Sequence, residues 1–76
     1  MILHSFAAPG KLFLGSDVDT ALAQGPRTFR TAANAIRFAM EHAAPVSLRG
    51  AMLIVGKRSY GPDQIRSLHR ALPQPT

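Results

Sequence analysis

An amphipathic repeat between residues 28 and 43 is the feature that most constrains how this chain can fold. Apolar side chains recur there every three or four residues, which is the period of one face of a helix. They are Phe29, Ala32, Ala33, Ile36, Met40 and Ala43. Thr28 suits the N-cap, and Pro45 ends the helix because the residue before a proline is displaced from helical backbone angles. Such a stripe needs a second apolar layer to pack against.

Three further segments have the character of strands. Residues 2–6 alternate weakly and residues 11–15 form a short apolar run, with a proline–glycine turn signal between them, which predicts a β-hairpin. Residues 51–55 are a continuous apolar run between glycines, typical of a strand central to its sheet or covered on both faces. Residues 16–25 fit a short capped helix or a structured loop, and the loop is favoured because isolated two-turn helices are weak.

A second helix is predicted to begin at Pro62, which suits the first helical position. Ile65, Leu68 and Leu72 form its apolar stripe, and Pro73 ends it. The predicted order is therefore β-β-α-β-α. We expect an α+β two-layer sandwich with a three-stranded sheet and two helices on one face, in a single domain over residues 1–76. If the second and third strands are parallel, the long helix is a right-handed crossover between them.

The sequence has 76 residues and no cysteine, which removes disulfides and thiolate metal ligands as sources of stability. Close packing or self-association must make up for a small core. The N-terminal residues lack the basic start of a signal peptide, and the longest apolar run is far shorter than a membrane span. The expected location is the cytoplasm, with no membrane partner.

Titratable residues give no pattern typical of an active site. The three histidines lie on different predicted elements without metal-ligand spacing, so neither a metal nor a cofactor is expected. The four acidic residues fit capping or surface roles, and no serine lies in a nucleophile elbow. We expect a protein that is not an enzyme, although a site completed by a second chain is a third possibility.

Basic residues outnumber acidic ones by nine to four, giving a net charge of +5. Lys57, Arg58 and Tyr60 share one predicted loop, which offers charge for phosphates and a ring for base stacking. Arg66 and Arg70 lie on the last helix. These five residues are the candidate surface of a nucleic-acid-binding accessory domain. The competing interpretation is an ordinary solvated surface on which arginine stems cover apolar groups.

Phe38 is a large aromatic residue on the polar side of the long helix, about opposite Phe29 at 100° per residue. Its neighbours there include Asn34, Glu41 and His42. Another segment of the chain covers such a ring, or a partner does. The first functional hypothesis is accordingly a protein-interaction or homodimerisation module with Phe38 as its anchor and those three residues around it.

The segment RTFRTAANAIRFAME at residues 27–41, followed by Arg49-Gly50-Ala51 and a short final helix, resembles a group of small uncharacterised bacterial proteins. The resemblance covers about half of the chain. No activity is assigned to the group, and none of its motifs is catalytic. The resemblance therefore implies a bacterial cytosolic domain, and it carries no functional residue to this sequence.

Overall fold

The computed structural model describes residues 4–72, an α+β arrangement built on a four-stranded antiparallel sheet in the order β2-β1-β3-β4. The strands are β1 (Gly10–Phe13), β2 (Arg27–Phe29), β3 (Met52–Val55) and β4 (Arg58–Tyr60). The helices are α1 (Val18–Gln24), α2 (Ala32–Glu41) and α3 (Pro62–Ala71), with 3-10 turns at His4–Ala7 and Pro45–Leu48.

The predicted three-stranded sheet with two helices is wrong, because the described chain contains four strands and three helices. The predicted hairpin between residues 2–6 and 11–15 does not form. Residues 4–7 are a 3-10 turn whose Phe6 packs against the core, and residues 1–3 lie outside the described residues. Strand β1 pairs instead with β2 and β3, both far along the chain. The pairing of β1 with β3 is antiparallel, so α2 is not a parallel crossover.

The ambiguous segment 16–25 contains a helix, α1, where a loop was favoured. The Thr20 backbone N–H donates to Asp17 Oδ1 at 2.7 Å and caps its N-terminus. Tertiary packing holds this short helix, because Ala21 is completely buried. Gly50, just before β3, lies so close to the Asp17 backbone that a Cβ there would overlap the Asp17 carbonyl.

The predicted long helix forms, but it is shorter than the sequence predicts. It begins after Thr31, whose Oγ1 accepts a hydrogen bond from the Asn34 N–H at 3.1 Å. The three residues Arg27–Phe29 are strand β2, so Thr28 is not a helix cap. The position of Phe29 is compatible with either a helical apolar stripe or the inner face of a strand. Phe29 is in a strand because it pairs opposite Gly10 of β1.

The predicted basic loop at 57–61 contains a fourth strand. Gly56 has a φ of 61°, and Gly56 and Lys57 form a two-residue turn between β3 and β4. A glycine with positive φ at the first central position is typical of the type II′ hairpin turn. The predicted last helix is confirmed, with Pro62 in its first turn and Ile65 completely buried.

Helices α2 and α3 pack on the same face of the sheet, α2 against β1 and β2 and α3 against β3 and β4. We call this the inner face. Leu12 and Leu53 are directly opposite each other in the sheet and are completely buried. Ile36 of α2 and Ile65 of α3 are also completely buried. Burial of these large aliphatic side chains, each worth about 1.5–3 kcal/mol, makes this layer the main source of stability.

Candidate functional site

The sheet has a second face, which α2 and α3 do not cover, and we call it the open face. Side chains alternate along a strand, so the residues between the buried ones point to it. Lys11 of β1 is opposite Thr28 of β2 and Ile54 of β3, and Ile54 is opposite Ser59 of β4. The open face therefore consists of Lys11, Phe13, Thr28, Met52, Ile54 and Ser59.

Apolar and polar side chains are mixed on the open face. Phe13, Met52 and Ile54 are only partly buried, whereas their strand neighbours Leu12 and Leu53 are completely buried. The polar members of the face are exposed to solvent. An antiparallel sheet with one solvated face normally carries polar residues there, so three large apolar residues at its centre indicate a contact surface.

A concavity of about 390 Å³ lies at one end of the open face. It is found where β1 begins and β2 and β3 end, and its floor includes the backbones of Gly10 and Gly56. Its walls combine apolar groups with the hydroxyl-bearing Thr28 and the ammonium-bearing Lys11. The lining residues are Ala8, Pro9, Gly10, Lys11, Thr28, Phe29, Ile54 and Gly56.

Among the described residues that line this concavity, the charged one is the cationic Lys11. Lys11 is exposed within it, Arg30 follows β2 directly at the same end, and Lys57 lies in the turn next to Gly56. No Asp or Glu occurs in the four strands of the described chain. Asp17, by contrast, lies against Gly50 at the opposite end, where β3 begins. The concave end of the open face therefore favours an anion.

Phe38, the anchor predicted from the sequence, is covered on one side by strand β2. Its ring centroid is 5.5 Å from that of Phe29, and the Arg27 guanidinium carbon lies 4.9 Å from the Phe38 centroid. The His42 ring is 5.9 Å away on the other side. Asn34, Glu41 and His42 are exposed beside it. The structure brings this predicted cluster together, but its central ring is already half-buried by the chain itself.

Glu41 belongs to a contact between the two main helices. His69 Nε2 of α3 donates to Glu41 Oε2 of α2 at 3.0 Å. This hydrogen bond lowers the pKa of Glu41 below its ordinary value. The pair thus ties α3 to α2 at the solvent-exposed surface of the helix layer.

The five residues predicted for nucleic-acid binding lie in the β3–β4 turn, on β4 and on α3. Lys57 is in the turn, and Arg58 and Tyr60 of β4 are opposite Val55 and Leu53 on the inner face, where Tyr60 packs against the core. Arg66 and Arg70 are on α3, in the helix layer on the other side of the sheet from Lys11. Arg66 Nη1 is 3.1 Å from Asp63 Oδ1. Arg58 and Tyr60 are thus on the face of the sheet that α3 packs against, and the assignment of these five residues to nucleic-acid binding stays a prediction.

The described residues hold no group of three His, Cys, Asp or Glu side chains arranged to bind a metal ion. Over residues 4–72, none of the helices has the length and apolar character to cross a bilayer. No family model, curated protein or solved structure matches the chain. The resemblance to small bacterial proteins stays a prediction.

Sequence reasoning missed the open face. The signal was present in β1, where the charged Lys11 stands between glycine and leucine in a run otherwise taken as apolar. Alternation of Leu12 with Lys11 and Phe13 indicates a strand with two different faces. In β3 no such signal exists, because all four residues are apolar and only the pairing shows which of them face outward.

Proposed function

We propose that this chain is a non-enzymatic binding module that holds an anionic partner on the open face of its sheet. The observation that carries the proposal is the exposed Lys11 of a central strand, which lines the concavity and has the partly buried Ile54 opposite it and Phe13 two residues along β1. A cytoplasmic location, expected from the sequence, is part of the proposal.

Inorganic polyphosphate is a suitable first probe, because it carries charge and no other recognition feature. Calorimetric titration at about 50 and 200 mM salt tests for the loss of affinity that phosphate contacts produce. Lys11→Glu is expected to weaken binding about tenfold or more, with a shallower dependence on salt. Arg70→Glu is the matched control, because it makes the same change in charge at an exposed position of α3. Equal losses for both variants, or no binding of polyphosphate by the wild type, would refute the proposal.

Homodimerisation is the second candidate, and one observation favours it. Strand β2 is an edge of the sheet over residues 4–72 and lies beside Phe38, and the outer N–H and C=O groups of an edge strand can pair with a strand of another copy. Phe38→Ser is a poor test, because Phe38 packs against Phe29 and its loss also weakens the fold.

Asn34→Arg is a better test of the dimer, because Asn34 is exposed on the same helix face and its side chain is not part of the core. If the chain is a dimer through this surface, sedimentation analysis should show a dimeric wild type and a monomeric, fully folded Asn34→Arg variant. A wild type that is monomeric at high concentration would eliminate this candidate.

A further inference from the structure

We propose that the partner on the open face is a single strand of nucleic acid, with one nucleotide seated in the concavity next to Lys11. This inference rests on the proposed function and names the chemical class of the anion. Four properties of the described residues support it: the sign of the charge, the apolar surface beside the charge, the size of the concavity and the shape of the face.

The charge disfavours a second copy of this chain as the occupant. If two open faces met, each copy would bring Lys11 to an interface to which the described strands contribute no acidic residue. Like charges across an interface are repulsive, and their removal from water adds a further cost. A polyanion neutralises the same ammonium group and releases counterions.

The apolar side chains of the open face favour a partner that offers apolar surface as well as negative charge. Phe13 and Ile54 lie on the same face as Lys11, and Phe13 is two residues away along β1, at about 7 Å. A phosphate at the Lys11 ammonium therefore leaves an attached base within reach of either apolar group. Proteins that hold single strands combine basic groups for the backbone with apolar or aromatic side chains on which bases stack.

The concavity has the size and composition of a site for one small ligand. Its volume of about 390 Å³ is near the lower end of the range for such sites, which are mostly apolar with a few polar groups. Pro9 and Ile54 supply apolar walls, while Thr28 supplies a hydroxyl and Lys11 a charge. One nucleotide presents the matching set of groups: a flat base, a sugar with hydroxyls and a phosphate.

The shape of the face favours a single strand over a duplex. Reading of duplex DNA in its major groove requires a protruding helix or a two-stranded ribbon, and the open face is a sheet surface with neither helix α2 nor α3 on it. Bases can lie on such a surface only when they are unpaired and splayed out. We therefore expect single strands to bind more tightly than duplexes of the same length, although the duplex carries twice the phosphate charge.

Fluorescence anisotropy with a labelled single-stranded oligonucleotide of about ten nucleotides, within the range one small sheet domain covers, tests this inference. Its competitors are the matching duplex, inorganic polyphosphate and oligoglutamate. We expect the single strand to bind about tenfold or more tightly than any of the three. Phe13→Leu, which removes the ring and keeps an apolar side chain, and Ile54→Ser should each weaken single-strand binding about fivefold or more.

Val46→Ser is the matched control, because Val46 is 50 % exposed in the Pro45–Leu48 turn outside the sheet. Its affinity should equal that of the wild type. Polyphosphate or duplex binding as tight as the single strand would overturn the inference and leave the proposed function standing. Tighter binding of oligoglutamate would point to an acidic protein partner and overturn it as well. Failure of every anion to bind would refute the proposed function itself.

Discussion

Lys11 differs from the other basic residues of this chain in its surroundings. Arg27 lies over the Phe38 ring and Arg66 is paired with Asp63, so both have structural contacts within the fold. Lys11 stands on a central strand, with Thr28 of β2 and the apolar Ile54 of β3 opposite it on the same face. A charged side chain at this position either keeps the surface soluble or binds a partner. The concavity beside it favours the interpretation that it binds a partner.

Gly50 is the residue at which the smallest change should have the largest effect on stability. A methyl group at this position would overlap the Asp17 carbonyl carbon and oxygen, which are backbone atoms and cannot rotate away as a side chain could. Gly50→Ala should lower the free energy of unfolding by at least about 2 kcal/mol in urea titrations. Gly61→Ala is the control, because its φ is −83° and the nearest atom to an added Cβ is Gln64 Oε1 at 4.0 Å. Similar losses for the two variants would contradict the close contact.

The stack of Arg27 on Phe38 should be measurable as a coupling energy. A guanidinium over a ring at an exposed or half-exposed site contributes about 0.5–1 kcal/mol. A double-mutant cycle with Arg27→Ala and Phe38→Leu isolates this contribution from the loss of packing in each single variant. A coupling energy near zero would show that the two side chains do not interact in solution.

At the scale of elements, the segments that local patterns define well were predicted and those that depend on distant partners were not. Helix α3 has a proline start and a clear stripe, and it was predicted correctly. Strand β2 is three residues long, and only its pairing with β1 makes it a strand. Strand β4 is equally short and was read as a loop, because its charged Arg58 and the preceding Lys57 have no strand character.

The difference between local patterns and distant pairings also explains how much of the candidate site could be predicted from the sequence. Asn34, Phe38, Glu41 and His42 could be grouped from the sequence because helical spacing alone determines their proximity. The open face joins residues from four strands, and its composition depends on register. A shift of one residue in any pairing would move a whole strand's side chains to the other face, so no local pattern could have assembled this set.

The N-cap of α2 should contribute to stability in the ordinary way. Thr31→Ala removes the oxygen that accepts from the Asn34 N–H, and we expect a loss of about 1 kcal/mol in thermal or urea unfolding. Thr28→Ala, at an exposed strand position, should change stability by less than about 0.5 kcal/mol. Were Thr28 the cap, as the sequence suggested, the two effects would be reversed.

The contact between α2 and α3 should make stability depend on pH on the acid side. The His69 hydrogen bond lowers the pKa of Glu41 in the folded state below its ordinary value of 4.5. A carboxylate with a lowered folded pKa contributes stability above its unfolded pKa, and that contribution is lost as the pH falls through the folded value. The Tm of the wild type should therefore fall more steeply than that of Glu41→Gln between about pH 5 and pH 3. Parallel pH profiles would show that the contact is not populated.

Asp17, next to α1, should act in the same direction. The Thr20 backbone N–H lowers the pKa of its carboxyl group below the ordinary value of 3.8. Asp17→Asn keeps an oxygen that can cap α1 and removes the titration. We expect this variant to keep most of the stability at neutral pH and to flatten the decline of Tm below about pH 4.

At the scale of the whole molecule, the two faces of the sheet differ in burial and composition. The inner face, with α2 and α3, contains the completely buried aliphatic residues and holds the fold together. The open face adds partly buried apolar groups and the exposed Lys11. Changes on the open face should therefore affect binding more than stability, and changes on the inner face should do the reverse.

The most direct test of this account is an NMR titration of the ¹⁵N-labelled protein with a short single-stranded oligonucleotide. We predict the largest amide shifts at Lys11, Thr28 and Ile54 and in the Gly56–Lys57 turn, with α3 nearly unchanged. Shifts confined to α2 and α3, or no shifts at low salt, would contradict the assignment of the open face as the binding surface.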